Sequence, residues 1–229
     1  MPEPVSWTRH AGESLALGEG EAHLWKISPT EDFTHCLTSR EAARCSRFSN
    51  PEAAMHYAAA QGGLRTILGR YLGQEPPAVS LLREERGKPY VAGGPEFNIT
   101  HTGEQILLAV ARVPVGLDVE LAARPVSADE LAQKFFTTRE AEHLAGVLPS
   151  SRRETFLRYW VCKEATVKLS GDGIYHGLRD AEVTLGPEGG AEGRYRGRAV
   201  RFHEMHPAPG VLAALASWRP LQAKCFLHL

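Results

Sequence analysis

Arg158-Tyr159-Trp160-Val161-Cys162-Lys163-Glu164-Ala165-Thr166-Val167-Lys168-Leu169 is the stretch around which the chain is organised. Leu157, Val161 and Ala165 recur at i, i+4 and i+8, the spacing of a buried helical stripe. Trp160, Glu164 and Lys168 form a second row at the same spacing, about 100° further round the helix. A carboxylate and an ammonium therefore stand one above the other at the edge of an apolar face. Alone, such a pair is an ordinary surface ion pair worth about 0.3–0.5 kcal/mol. Its weight comes from what surrounds it.

Upstream, Thr38-Ser39-Arg40-Glu41 predicts a capping box opening a short helix, and Asn50-Pro51 starts a longer one running to about Leu72. Gly62-Gly63 is a weak point in that helix, costing about 1 kcal/mol per Gly against Ala. His23–Ser28, Val79–Arg83, Phe97–Thr100 and Ile106–Arg112 read as strands. Val115–Leu121 begins a second series. It continues with the segment Ala128–Phe136, a helix from Thr137, the long helix Glu154–Leu169, and strands at Ala181–Leu185, Ala199–His203, Val211–Trp218 and Ala223–Leu229.

The order repeats: Thr38-Ser39-Arg40-Glu41-Ala42 aligns with Thr137-Thr138-Arg139-Glu140-Ala141, and the same offset places Arg65 on Glu164. Leu107–Ala111 resembles Leu212–Ala216 in the same way. The expectation is an α+β fold of two similar halves related by a pseudo-twofold axis, each a small antiparallel sheet packed with a long helix. Residues 1–21 are expected to form an N-terminal extension with little fixed structure, 22–114 the first half and 115–229 the second. A cleft between such halves is a natural ligand site.

The chain has 229 residues, 43% hydrophobic and 23% charged, with a formal net charge of −1. That composition suits a globular protein and argues against general binding to nucleic acid or a membrane surface. The four cysteines lack metal-ligand spacing, and neither a signal peptide nor a membrane-spanning apolar run is present in the sequence. A cytoplasmic protein is expected.

Charge is nonetheless local. Asp118 and Glu120, at i and i+2 of a strand, point the same way and repel each other unless a cation lies between them. A few oxygen ligands of this kind suit Mg²⁺ shared with substrate phosphates. Arg40, Arg44 and Arg47 share one helical face as a basic wall, Arg65 lies on the next helix, and Arg86-Gly87-Lys88-Pro89 puts two cations in a turn. Thr100 and His101 end a strand with a hydroxyl and an imidazole, suited to an anion or to a turn cap. Cations in one half and carboxylates in the other suggest phosphoryl transfer, where positioning and charge neutralisation supply most of the catalysis.

Four motifs in order, Arg86-Gly87-Lys88-Pro89, Phe97-Asn98-Ile99-Thr100-His101, Gly116-Leu117-Asp118-Val119-Glu120 and Trp160–Ala165 with Lys168, resemble those of 4′-phosphopantetheinyl transferases of the surfactin-synthetase-activating (Sfp) type. The resemblance covers roughly residues 22–218, with Thr100 where that family usually has Ser. It implies a pseudo-twofold α+β monomer that transfers the 4′-phosphopantetheine arm of coenzyme A to a serine of an apo acyl or peptidyl carrier protein, with release of 3′,5′-ADP. It further implies Mg²⁺ at Asp118, Glu120 and Glu164, and coenzyme A held by Arg44, Arg65, Lys88, Thr100, His101, Asp118 and Lys168. Glu164 is the expected base for the serine, directly or through water, and Lys168 the cation near the scissile bond. Lys163, on another face, is placed second. Leu131 and Lys134, at i and i+3 behind the acidic strand, are the expected carrier contacts. The alternatives are another Mg²⁺-dependent phosphate or pyrophosphate enzyme, which needs no carrier surface, and a non-catalytic carrier-binding paralogue, against which Asp118, Glu164 and Lys168 together argue.

Overall fold

A computed structural model describes residues 5–9, 15–125, 127–173, 177–186 and 190–228. The first half opens with β1 (Thr8–Arg9) and β2 (Glu21–Ile27), followed by helices α1 (Ser39–Cys45) and α2 (Pro51–Leu72). Next come the small hairpin β3 (Leu82–Arg83) and β4 (Pro89–Tyr90), and then β5 (Glu96–Thr102) and β6 (Gln105–Ala111). The second half runs through β7 (Val115–Leu121), α3 (Ala128–Phe135), α4 (Thr138–Gly146), α5 (Pro149–Ser170) and β8 (Ala181–Leu185). It ends with β9 (Ala191–Tyr195), β10 (Arg198–Met205), β11 (Val211–Ser217) and β12 (Gln222–His228).

One sheet has the order β1-β12-β2-β6-β5 and the other β7-β11-β10-β9-β8. The inner strands β6 and β11 are apolar on both faces, because both faces are covered. Leu24, Leu107 and Ala109 meet Leu117, Val119, Ala213 and Leu215 in a core between the sheets. The opposite face of the first sheet (Trp25, Ile27, Ile106, Leu108) packs on α2, and that of the second (Leu212, Ala214, Ala216) packs on α5. The layers are helix, sheet, sheet, helix, an α+β fold of two similar halves as the repeat implied. Among the described residues no helix is long and apolar enough to cross a membrane.

The glycines that weakened the helical reading of α2 explain its packing. A Cβ on Gly62 would crowd Phe33, and one on Gly63 would lie 2.7 Å from Ile27 Cγ2, so Gly62 lets the helix close on the segment after β2 and Gly63 on β2 itself. The stripe read from the sequence is buried: Leu157, Val161 and Ala165 are at most 1% exposed.

The repeat holds with a shift. The predicted capping box of Thr38 with Glu41 forms, and the aligned Thr137 forms another with Glu140. Each capping glutamate then binds a buried cation on the long helix. Glu41 takes Arg65 Nε at 2.7 Å, and Glu140 takes Lys163 Nζ at 2.8 Å. Each cation also donates to a later carbonyl, Arg65 to Val79 and Lys163 to Ala181. The counterpart of Arg65 is therefore Lys163, not Glu164, because the long helix starts 13 residues after the capping Thr38 in the first half (at Pro51) and 12 after Thr137 in the second (at Pro149). Glu140 accepts in addition from the Val183 N–H at 2.7 Å, so one carboxylate joins α4, α5 and β8.

Several boundaries differ from expectation. α5 starts at Pro149, five residues earlier than read, since Pro suits a first helical turn. Val79 is buried beside a short 3-10 turn, and strand structure begins only at Leu82. β12, counted with the second half in the sequence, pairs parallel with β2 over its whole length and so lies in the first sheet. The described part of residues 1–21 is packed as well. Trp7 Nε1 donates to the Pro207 carbonyl at 3.1 Å, Leu17 is buried, and Thr8–Arg9 adds a short parallel strand to β12.

Candidate functional site

The site lies where the edge strands β5 and β7 of the two sheets meet. Alternate residues of β5, Asn98, Thr100 and Thr102, reach across to β7. Asn98 Oδ1 accepts the Leu117 N–H at 2.9 Å, Thr100 Oγ1 donates to Asp118 Oδ1 at 3.3 Å, and Thr102 Oγ1 donates to Glu120 Oε2 at 3.4 Å. The amide of Asn98 thereby satisfies an N–H that an edge strand would leave open. On β7 the strand alternation sends Leu117 and Val119 into the inter-sheet core and Asp118 and Glu120 towards α5.

α5 approaches β7 so closely that a Cβ on Gly116 would overlap the Ala165 carbonyl oxygen and the Leu169 nitrogen. This proximity brings Lys168 Nζ to 2.5 Å from Asp118 Oδ1 and 3.1 Å from Thr100 Oγ1. Glu120 pairs with Arg124. The electrostatics are those of crowded acids. Burial pushes the Asp118 carboxyl up, with Lys168 opposing. Burial and the Asp118 charge raise Glu120, with Arg124 opposing. Glu164 is pushed up to about 7, mainly by burial and then by the charges of Asp118 and Glu120.

Of the remaining expected residues, Lys88 and His101 lie at this seam. His101 meets His56 ring to ring, with centroids 5.0 Å apart, and burial followed by the charges of His56 and Lys168 depresses it. Lys88 Nζ donates to the carbonyls of Leu169 at 3.2 Å and Val115 at 3.5 Å, and burial lowers its pKa. Arg44 is exposed, stacks its guanidinium over Tyr57, and lines a cavity of about 660 Å³ with Arg40, Arg47, Arg65 and Arg83. Arg65 differs from its expected role. Only 5% exposed, its Nε, Nη1 and Nη2 are committed to Glu41 and to backbone carbonyls, so it frames the cavity floor.

Leu131 packs against the second core while Lys134 is exposed on the same short helix. Lys163 is fully buried, away from Glu164. The sequence reading missed Thr102, Arg124 and His56. The polar alternation of Asn98, Thr100 and Thr102 was a usable signal for the first. Arg124 lies four residues beyond Glu120, but in a turn whose direction only the fold sets. Nothing in the sequence placed His56 opposite His101.

The residues fit a hard divalent cation. Asp118 Oδ2 is buried with no hydrogen-bond partner, and the Asp118 and Glu120 charges both act on the Glu164 carboxyl. Among the described residues no three acidic, histidine or cysteine side chains form a ready ligand group. Mg²⁺ does not need one, since it commonly binds through one or two carboxylates and substrate phosphates.

Comparison with known proteins decides the family. The 4′-phosphopantetheinyl transferase superfamily model matches residues 114–215, which contain β7, α5 and every acidic residue of the seam. The chain is 36% identical over 223 residues to the 4′-phosphopantetheinyl transferase HetI of Nostoc, covering 90% of this chain and 93% of that protein. The chain belongs to the 4′-phosphopantetheinyl transferase superfamily. A 4′-phosphopantetheinyl transferase of Bacillus subtilis is 30% identical over 155 residues, 67% of this chain and 68% of its own. The 4′-phosphopantetheinyl transferase Sfp of Bacillus subtilis strain 168 is 27% identical over 161 residues, 69% and 71% respectively. The activity of this superfamily member is phosphopantetheinyl transfer, and the kind of partner is a carrier protein.

Proposed function

We propose that the chain moves the 4′-phosphopantetheine arm of coenzyme A onto a serine hydroxyl of an apo acyl or peptidyl carrier protein, releasing 3′,5′-ADP in an Mg²⁺-dependent reaction. The observation that carries this reading is the buried Asp118 carboxylate. One oxygen is bound by Lys168, the other is unpartnered, and Glu164 lies beside it at the seam where β5 of the first sheet meets β7 of the second. Asp118, Glu120 and Glu164 are the residues that would hold Mg²⁺, which when bound offsets the charge of the pyrophosphate.

The serine attacks the phosphorus next to pantetheine, in line with the departing 3′,5′-ADP oxygen. Serine is a poor nucleophile at neutral pH and needs a base. Glu164, raised to about 7, is matched to taking that proton near neutrality. Lys168, one turn on, neutralises charge on the departing oxygen. On the nucleotide side, Lys88, Thr100 and Arg44 hold phosphates and His101 takes the 3′-phosphate. Leu131 and Lys134 face the carrier.

The test is incubation with coenzyme A, Mg²⁺ and an apo carrier, followed by the mass of the carrier. The expected result is a carrier heavier by one phosphopantetheine group, and an Asp118→Ala protein that folds but leaves the carrier unmodified. Normal turnover by Asp118→Ala at ordinary Mg²⁺ removes the metal assignment. An unmodified carrier with the wild-type protein, across acyl and peptidyl carriers, removes the activity.

A further inference from the structure

Asp172 takes no part in the reaction above, yet it ties the two halves together outside the reacting groups. It follows Gly171, the left-handed cap of α5. Arg86 Nη1, from the turn between β3 and β4, donates to Asp172 Oδ1 at 2.7 Å and to its carbonyl at 2.9 Å. On the other side, Asp172 Oδ2 accepts from the Tyr195 hydroxyl at 2.6 Å and from Arg196 Nη1 at 3.1 Å. The Tyr195 hydrogen bond, with Arg196 and Arg86, keeps this carboxyl below its usual value, so it carries full charge at neutral pH. Arg196 is itself anchored, since its Nε reaches Asp180 Oδ2 at 2.7 Å. The carboxylate is thus fixed to the second half before it meets Arg86.

The first-half partner lacks such support. β3 and β4 pair over two residues each, too little to hold a hairpin in place by itself. What positions their turn is the end of α5. Arg86 binds Asp172, and two residues on Lys88 Nζ binds the Leu169 carbonyl. The turn straddles the helix C-terminus, where unpaired carbonyls and the negative end of the dipole favour cations. Between turn and helix lies a cavity of about 250 Å³, lined by Gly87, Lys88 and Asn98 on one side and by Lys168, Gly171 and Gly173 on the other.

We propose that Asp172 is a positioning residue. It latches the Arg86–Pro89 turn of the first half to the end of α5 and thereby sets Lys88 and Lys168 at the separation that grips the phosphates of coenzyme A. The proposal rests on the coenzyme A reading above. It assigns to Asp172 no contact with substrate, so its loss weakens nucleotide binding without touching the chemical step or carrier docking.

The test uses the full chain as wild type, Asp172→Ala, Arg86→Ala and the double variant. Coenzyme A affinity is measured by calorimetry, with steady-state constants for both substrates and the melting temperature. Either single variant is expected to weaken coenzyme A binding and raise its KM about tenfold, with kcat and the carrier KM within about twofold of wild type. The double variant is expected to match the single ones, because each removes the same latch. Arg86 is half exposed, so its variant reports on the latch even if Asp172→Ala disturbs folding. Wild-type binding matched by both single variants overturns the latch and leaves the coenzyme A reading standing. Additive losses overturn it too, because the two residues then act apart. A wild-type protein that binds no coenzyme A overturns the reading beneath and the latch with it.

Discussion

Glu164 is where the site's electrostatics weigh on the fold. Its ordinary carboxyl value of 4.5 is raised to about 7 in the folded chain, so between those values the folded state keeps a proton that the unfolded chain has released. A raised carboxyl favours folding fully below about 4.5 and loses that advantage as pH climbs through about 7. In chelator, the protein is therefore expected to lose stability from pH 5 to pH 8. Glu164→Gln should remove up to about 3 kcal/mol of that loss, as the size of the shift implies. Chemical unfolding at the two pH values checks this, and an equal pH slope in both proteins contradicts it. Lys163 poses the opposite problem. It is fully buried against Glu140, and removing one partner of such a pair leaves an uncompensated charge. Lys163→Ala is expected to cost about 3–5 kcal/mol in the same assay. A loss below about 1 kcal/mol would show that the pair contributes little to holding α4, α5 and β8 together.

At the scale of elements, the spacing of the proposed catalytic groups depends on how closely α5 lies on β7. Gly116 permits that approach, because any side chain there meets helix backbone rather than a flexible group. Backbone cannot yield as a side-chain tip can, so Gly116→Ala must push the helix outward. The expected cost is about 1–3 kcal/mol of stability, as for an overpacked core. Displacing Lys168 and Glu164 by about an ångström should also lower turnover by about 10²-fold. Crystallography of the variant and steady-state kinetics test both parts. An unmoved helix with normal turnover would refute them.

For the whole molecule, β12 is the strap. It leaves the second half, pairs parallel with β2, and stacks Phe226 on Trp25 with ring centroids 4.8 Å apart. Removing residues 222–229 opens an apolar inner strand as a new sheet edge, which invites association with other chains. A truncated protein is expected to melt at least about 10 °C lower, the equivalent of a few kcal/mol in a chain of this size, and to aggregate. Scanning calorimetry with light scattering measures both. A truncated chain that melts like the full one and stays dispersed would mean that the strap is dispensable.

Much of this was legible along the chain because it depends on neighbours in sequence. Helical spacing marked Leu157, Val161 and Ala165 as a buried stripe, the capping box was visible in Thr38–Glu41, and its repeat in Thr137–Glu140. Strand alternation set Asp118 and Glu120 on one face, and the four ordered motifs pointed to the family. What the tertiary structure decided were pairings between residues far apart in the chain, for which local periodicity holds no information. Arg65 could serve a phosphate or a capping glutamate, and only the packing of α1 on α2 delivered it to Glu41. β12 carries the same apolar alternation whichever sheet receives it, and its place beside β2 is set by which edge was open and how the chain crosses between halves. The Asp172 contacts to Arg86 and Tyr195 likewise arise only where three separate turns converge, a meeting governed by long-range packing.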